Sequence, residues 1–203
     1  MLLSYSDKFS KERLVVKMEK GTSEKKINVR DMVLIAMFAA ITAVLSQIAI
    51  PMPSGVPVTL QTFAVALCGY VCGSKKGAAA LAVYTLLGAV GVPVFANFKG
   101  GLGALAGPTG GFIWGFIIMA FLCGIGIEMK RKWLAVLLGA AGLIACHICG
   151  TAQFAVIKGG GFFSSALLVS VPYLLKDIIS VAAAFAAALL IRRRVKIGAA
   201  VTE

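Results

Sequence analysis

The sequence predicts an all-α membrane protein, a bundle of six transmembrane helices with a long Gly-rich loop between helices 3 and 4. Three observations carry that expectation. The 203-residue chain is 60% hydrophobic, with a mean hydropathy of +0.95. Only 14% of it is charged, against about 25% in an ordinary soluble domain. Its apolar residues also fall into runs long enough to cross a hydrocarbon layer of about 30 Å, with basic clusters between them. A soluble core of this chain length has no room for so much apolar surface.

Residues 1–30 mix Lys, Glu and Ser without a long apolar run, and read as a cytoplasmic basic tail rather than a cleavable leader. The membrane domain is expected over 31–194, and 195–203 form a short cytoplasmic C-terminal tail. Span one is read at 32–50, interrupted by the PMPSGVP segment at 51–57. Span two follows at 58–73 and stops at Ser74, Lys75 and Lys76; span three covers 77–92. The stretch 93–111 holds six glycines from Gly100 to Gly111, two prolines, Asn97 and Lys99, and cannot form a regular span. Spans four, five and six are read at 112–127, 133–157 and 169–191.

Basic residues orient the bundle. With a cytoplasmic N-terminus, 17 of the 20 Lys and Arg residues fall on the cytoplasmic side. The positive-inside rule then places both termini in the cytoplasm of a multi-pass plasma-membrane protein. The same distribution accounts for the net charge of +12 without invoking nucleic acid, because the basic clusters alternate with apolar spans.

Several chemistries are excluded. No GxxxxGK[ST] loop is present to cradle ATP phosphates. The five cysteines lie in apolar runs and read as packing residues. Cys146-His147-Ile148-Cys149 lacks the ligand set a zinc site needs, so no metal is expected. No Ser/His/Asp or paired-carboxylate arrangement is visible. The chain therefore reads as a non-enzyme without a cofactor, suited to recognition or transport. His147 reads as a structural hydrogen-bonding residue.

Three polar features carry the functional reading. The Gly-rich connection, with Phe95 and Phe98 able to dip inward, reads as a lid over a pocket, because irregular backbone at membrane depth needs protein cover or a cavity. Lys176 and Asp177 lie inside the sixth span, where a charge is expensive and faces a cavity or a partner. Residues i and i+1 do not share a helix face, so Asp177 is expected to point inward and Lys176 to snorkel or reach an anionic ligand. Third, Ala36 with Ala40, and Ala39 with Ala43, give span one a small-residue face for close helix approach, within the bundle or against another subunit. Gln47, Thr59 and Gln61 add polar groups near the lid.

Three blocks resemble a known family. MVLIAMFAAITAV, GVPVTLQTFAVALCG and LLGAVGVPVFANFKGGLGALAGPTGGF are similar to the BioY family, the biotin-specific substrate-binding components of energy-coupling factor importers. The resemblance spans roughly 31–194. It implies a subunit that binds biotin from outside for ATP-driven uptake. The partners it implies are a transmembrane coupling subunit and two ATPase subunits. It implies that the ureido ring meets Asn97 and Asp177, with Phe95, Phe98 and Tyr84 walling the thiophane, Gln61 nearby, and Lys176 or Lys99 meeting the carboxylate. It also implies that the alanine face of span one, Ala36 and Ala40 or Ala39 and Ala43, docks on the coupling subunit. One position departs: where the family usually reads Asp-x-x-Lys, this chain has Asp177-Ile-Ile-Ser180, with the lysine at 176 instead. A self-sufficient secondary importer, or a subunit for a biotin-like compound, is the alternative reading.

Overall fold

The computed structural model describes residues 28–194, and the expected tails at 1–27 and 195–203 lie outside the described residues. The first helix, α1 (Val29–Ser46), begins two residues inside the stretch read as tail. Asn28 supplies the start signal, its side chain accepting the Arg30 N–H at 3.2 Å. Asp31 sits in the first turn, favourable to the helix dipole, and pairs with Lys76 at 2.5 Å.

After α1 the chain is not simply interrupted. Ala49–Ile50 (β1) pairs antiparallel with Val58–Thr59 (β2), folding 51–57 into a hairpin tip. Gly55, with φ 79°, makes the reversal that a side chain would resist. The helices α2 (Gln61–Cys72) and α3 (Ser74–Ala89) meet at Gly73, φ 83°. Ser74, Lys75 and Lys76, read as the end of span two, form the first turn of α3. That start is capped from across the bundle, where Glu128 accepts the Ser74 N–H at 2.8 Å and its hydroxyl at 2.9 Å.

The Gly-rich stretch is more ordered than a plain loop. It contains a 3-10 turn at Ala96–Phe98, a bridge between Phe95 and Lys99, and a short helix α4 (Leu102–Ala106). Glycine dominates the composition, but Leu-Gly-Ala-Leu-Ala retains enough helix-forming residues for one turn. Then come α5 (Gly110–Glu128), α6 (Lys132–Lys158), α7 (Phe162–Val169) and α8 (Val171–Arg194). The expected sixth span is α8, preceded across Ser170 by the short α7, with Pro172 just inside the start of α8, where its missing N–H costs nothing.

Four helices, α1, α5, α6 and α8, are long and apolar enough to cross a membrane, while α2 is a shorter apolar helix of 12 residues. Their arrangement follows from small residues. A Cβ at Gly115 would lie 2.7 Å from the Cys146 Cα, and one at Gly126 the same distance from the Ala135 Cα, so α5 and α6 pack almost backbone to backbone. At the centre lies α2, with 11 of its 12 residues buried. Its Tyr70 donates a 3.0 Å hydrogen bond to the Ala135 carbonyl of α6 and meets Phe185 of α8 edge-on. The five cysteines are free; Cys68, Cys72 and Cys123 pack in this core as expected.

Candidate ligand-binding site

A cavity of about 800 Å³, counting its mouth, opens at the end of the bundle where α2, α5 and α8 begin and α6 ends. That size suits a small organic ligand. Its walls are mainly apolar: Phe95, Phe112, Ile113, Phe116, Leu143 and Val169. Against them stand a few polar side chains, with Asp177 the most buried charge at 5% exposure.

Asp177 is the hub. One carboxylate oxygen, Oδ2, lies 3.2 Å from His147 Nε2. The other, Oδ1, is ion-paired with Lys176 but accepts no aligned hydrogen bond, although it is fully buried. The Lys176 ammonium also donates to the Thr59 carbonyl at 2.9 Å. The expectation that residues 176 and 177 diverge is therefore corrected. The long lysine stem curls back along α8, drawn by a carboxylate and a carbonyl at the edge of a largely apolar cavity.

Behind His147 the chain of hydrogen bonds continues. Its Nδ1 lies 3.1 Å from Ser170 Oγ, which is 2.7 Å from Thr151 Oγ1. A Ser-His-Asp series, invisible in the sequence, is therefore present in space. Ser170 faces Thr151 behind the imidazole and does not line the cavity, so its hydroxyl is not presented to a ligand. The series orients the imidazole and the carboxylate rather than supplying a nucleophile. His147, read from sequence as a structural residue, is a wall of the cavity.

Two segments cover the mouth. The hairpin tip is tied to α8 by Tyr173, whose hydroxyl donates to the Val56 carbonyl at 2.6 Å and lies 2.7 Å from Ser54 Oγ. The Ala96–Phe98 turn is tied to the end of α1. There Gln47 accepts the Phe98 N–H at 2.9 Å and donates to the Phe95 carbonyl at 3.2 Å. Asn97 and Phe98 both hold positive φ, 59° and 57°, a conformation asparagine tolerates better than most residues. Of these two segments, sequence reasoning identified only the second as a lid.

Five of the seven expected binding residues line the cavity: Asn97, Asp177, Lys176, Phe95 and Gln61. Two do not. Phe98 is 72% exposed, because the turn that aims Asn97 inward aims its neighbour outward. Tyr84 is fully buried one layer back. It accepts from Gln61 Nε2 at 2.8 Å, donates to the Val94 carbonyl at 3.2 Å and packs edge-on against Phe95. It therefore positions wall residues instead of forming the wall. Phe95 itself is seated over Gly88, where any side chain would strike its ring. Lys99, Thr62, Phe112, Cys146 and Tyr173 complete the lining. The weak sequence signal for Phe112 and His147 was their place one helical layer from Gly-rich contacts.

The structure also separates the two alanine pairs on α1. Ala36 and Ala40 are exposed on its outer face, whereas Ala39 is buried and Ala43 packs against the core. The small size of Ala39, and in part that of half-buried Ala43, serves packing within the bundle. Among the described residues no cluster of His, Cys, Asp and Glu is arranged to hold a metal.

Comparison with known proteins places this geometry. A model of the BioY family matches residues 18–197. The biotin transporter BioY of Thermotoga maritima is 47% identical over 60% of this chain and 72% of its own. The probable biotin transporter BioY of Pyrococcus horikoshii is 38% identical over 76% of this chain and 91% of its own. Among solved structures, the S-component for biotin from an ECF-type ABC transporter superposes with a TM-score of 0.72, covering 87% of this chain and 95% of that one. At 23% identity that likeness speaks for the fold alone. The family match, the relatives and the fold agree, and the chain belongs to the BioY family.

Proposed function

We propose that this protein is the biotin-binding subunit of an importer, taking biotin from outside and relying on a separate coupling subunit and two ATPase subunits for energy. The observation that carries the reading is the buried Asp177 carboxylate in the lining of a largely apolar chamber, with Oδ1 accepting no aligned hydrogen bond. A ureido ring offers two N–H donors and one carbonyl acceptor, and a carboxylate can take both donors. Asn97 is placed to complete the recognition. Phe95, Phe112 and Phe116 suit the apolar thiophane. With Lys176 committed to Asp177 and Thr59, Lys99 at the mouth is the cation left for the ligand carboxylate. The names of the relatives support the same substrate.

In this reading all six helices of 12 or more residues cross the membrane, α2 and α3 being the short ones, and residues 31–194 form the binding domain. The cavity end faces outward and both tails lie in the cytoplasm, as the basic residues direct. The exposed Ala36 and Ala40 give the coupling subunit a flat docking face on α1.

Titration calorimetry with biotin, dethiobiotin and lipoate on the purified chain tests the substrate. Biotin is expected to bind in the nanomolar to micromolar range and lipoate, which lacks the ureido group, not to compete. Absence of biotin binding overturns the reading. Uptake in cells lacking the coupling and ATPase subunits would instead mark a self-sufficient importer.

A further inference from the structure

A second cavity lies at the opposite end of the bundle, between the end of α5, the start of α6 and the end of α8. It measures about 700 Å³ counting its open side. Five cations line it: Lys130, Arg131, Lys132, Arg192 and Arg193. Topology alone requires basic residues near helix ends, but not that three helix ends aim them into one concavity.

Among the described residues nothing neutralises this charge. No acidic side chain among the described residues pairs with Lys130, Arg131, Lys132 or Arg193. The nearby Glu128 is engaged instead in capping Ser74. Arg192 is held in place by donating to the Tyr70 and Val71 carbonyls at 2.9 and 3.3 Å. Arg131, the residue before α6, gives that 27-residue helix no side-chain cap, so its first N–H groups are free for an anion. The floor is apolar, with Ile127, Ala135 and Leu189. Next in sequence to lining residues, Trp133 and Val136 of α6 and Leu190 of α8 are exposed large apolar side chains.

We infer that this cavity binds the phosphate headgroup of an anionic phospholipid, with the acyl chains lying along the exposed Val136 and Leu190. A soluble phosphate shares the headgroup chemistry but makes no use of that apolar flank. The inference is independent of the ligand held at the far end of the bundle.

Trp133 reports on the site directly. In a Trp114→Phe background it is the sole tryptophan, since the chain has two. Reconstituted protein is titrated with brominated phosphatidylglycerol or brominated phosphatidylcholine, and Trp133 quenching is read. Phosphatidylglycerol is expected to quench with a relative affinity at least about fivefold higher, the effect of roughly one effective charge contact. That preference should fall to the phosphatidylcholine level in the double variant Arg131→Gln/Arg193→Gln, with circular dichroism and ligand binding at the far end retained. Equal quenching by the two lipids in the unsubstituted protein overturns the inference, as does a preference that survives in the double variant. If the lipids behave alike but inorganic phosphate shifts Trp133 emission, the site takes a soluble anion and the lipid assignment fails.

Discussion

The carboxylate of Asp177 and the imidazole of His147 lie 3.2 Å apart across the gap between α8 and α6. Thirty residues of sequence separate them, and their pairing sets the polar end of the cavity. With Lys176 on its other oxygen, the carboxylate is held in one orientation in the cavity lining. An acceptor fixed in this way rejects a ligand without matching donors, because the buried oxygen then stays unpaired.

Asp177→Ala is therefore expected to weaken biotin binding by roughly 10- to 100-fold or more, the range for hydrogen bonds to a charged group. Titration calorimetry measures it, with circular dichroism as the control for the helical fold. Unchanged affinity in a folded variant refutes the site.

His147→Ala leaves Asp177 Oδ2 and Ser170 without their shared partner. Affinity should drop about tenfold, less than for Asp177→Ala, since one orienting bond is lost and the acceptor remains. Binding equal to that of the unsubstituted protein would return His147 to a purely packing role.

Gln47→Ala cuts the side chain that links α1 to the Phe95 and Phe98 backbone. The turn bearing Asn97 should open more readily, raising the ligand dissociation rate severalfold while changing association little. Stopped-flow displacement separates the two rates. An unchanged dissociation rate would mean that the hydrogen bonds from Ser46 and Tyr84 to the Val94 carbonyl hold the segment without Gln47.

The two alanine pairs on α1 should respond in opposite ways. Ala40→Trp adds bulk to an exposed face, so biotin binding persists while co-purification with the coupling subunit and coupled uptake are lost. Ala39→Trp forces a ring into the core and should cost about 1–3 kcal/mol or more of stability, read as a lower melting temperature in detergent. If the Ala40 variant still co-purifies, the docking face lies elsewhere.

The helical architecture was legible because hydrophobic runs and basic clusters are local signals. Five site residues were legible because charge, amide and aromatic groups stand out in an apolar chain. The hairpin at 49–59 was not, since two-residue strands leave no periodicity and PMPSGVP reads only as a break. Tyr84 and Phe98 were misplaced for a geometric reason: both neighbour the wall, and only the φ values of the turn and the seat over Gly88 decide which rings face inward. The proximity of Ser170, His147 and Asp177 depends on how α8 is set against α6, a placement no single-sequence pattern encodes.

The brevity of α2 has a consequence for the ligand. In the proposed orientation Lys75 and Lys76, in the first turn after α2, mark one membrane boundary, and the 12 residues of α2 climb only about 18 Å from it. Of a hydrocarbon layer about 30 Å thick, roughly 12 Å remains above Gln61. The bicyclic head, its short tail and the two covering segments share that depth. The central helix thus acts as a ruler: it sets how far below the membrane surface the ligand rests, and a ligand with a lengthened or conjugated tail must protrude between the covering segments and hold them apart.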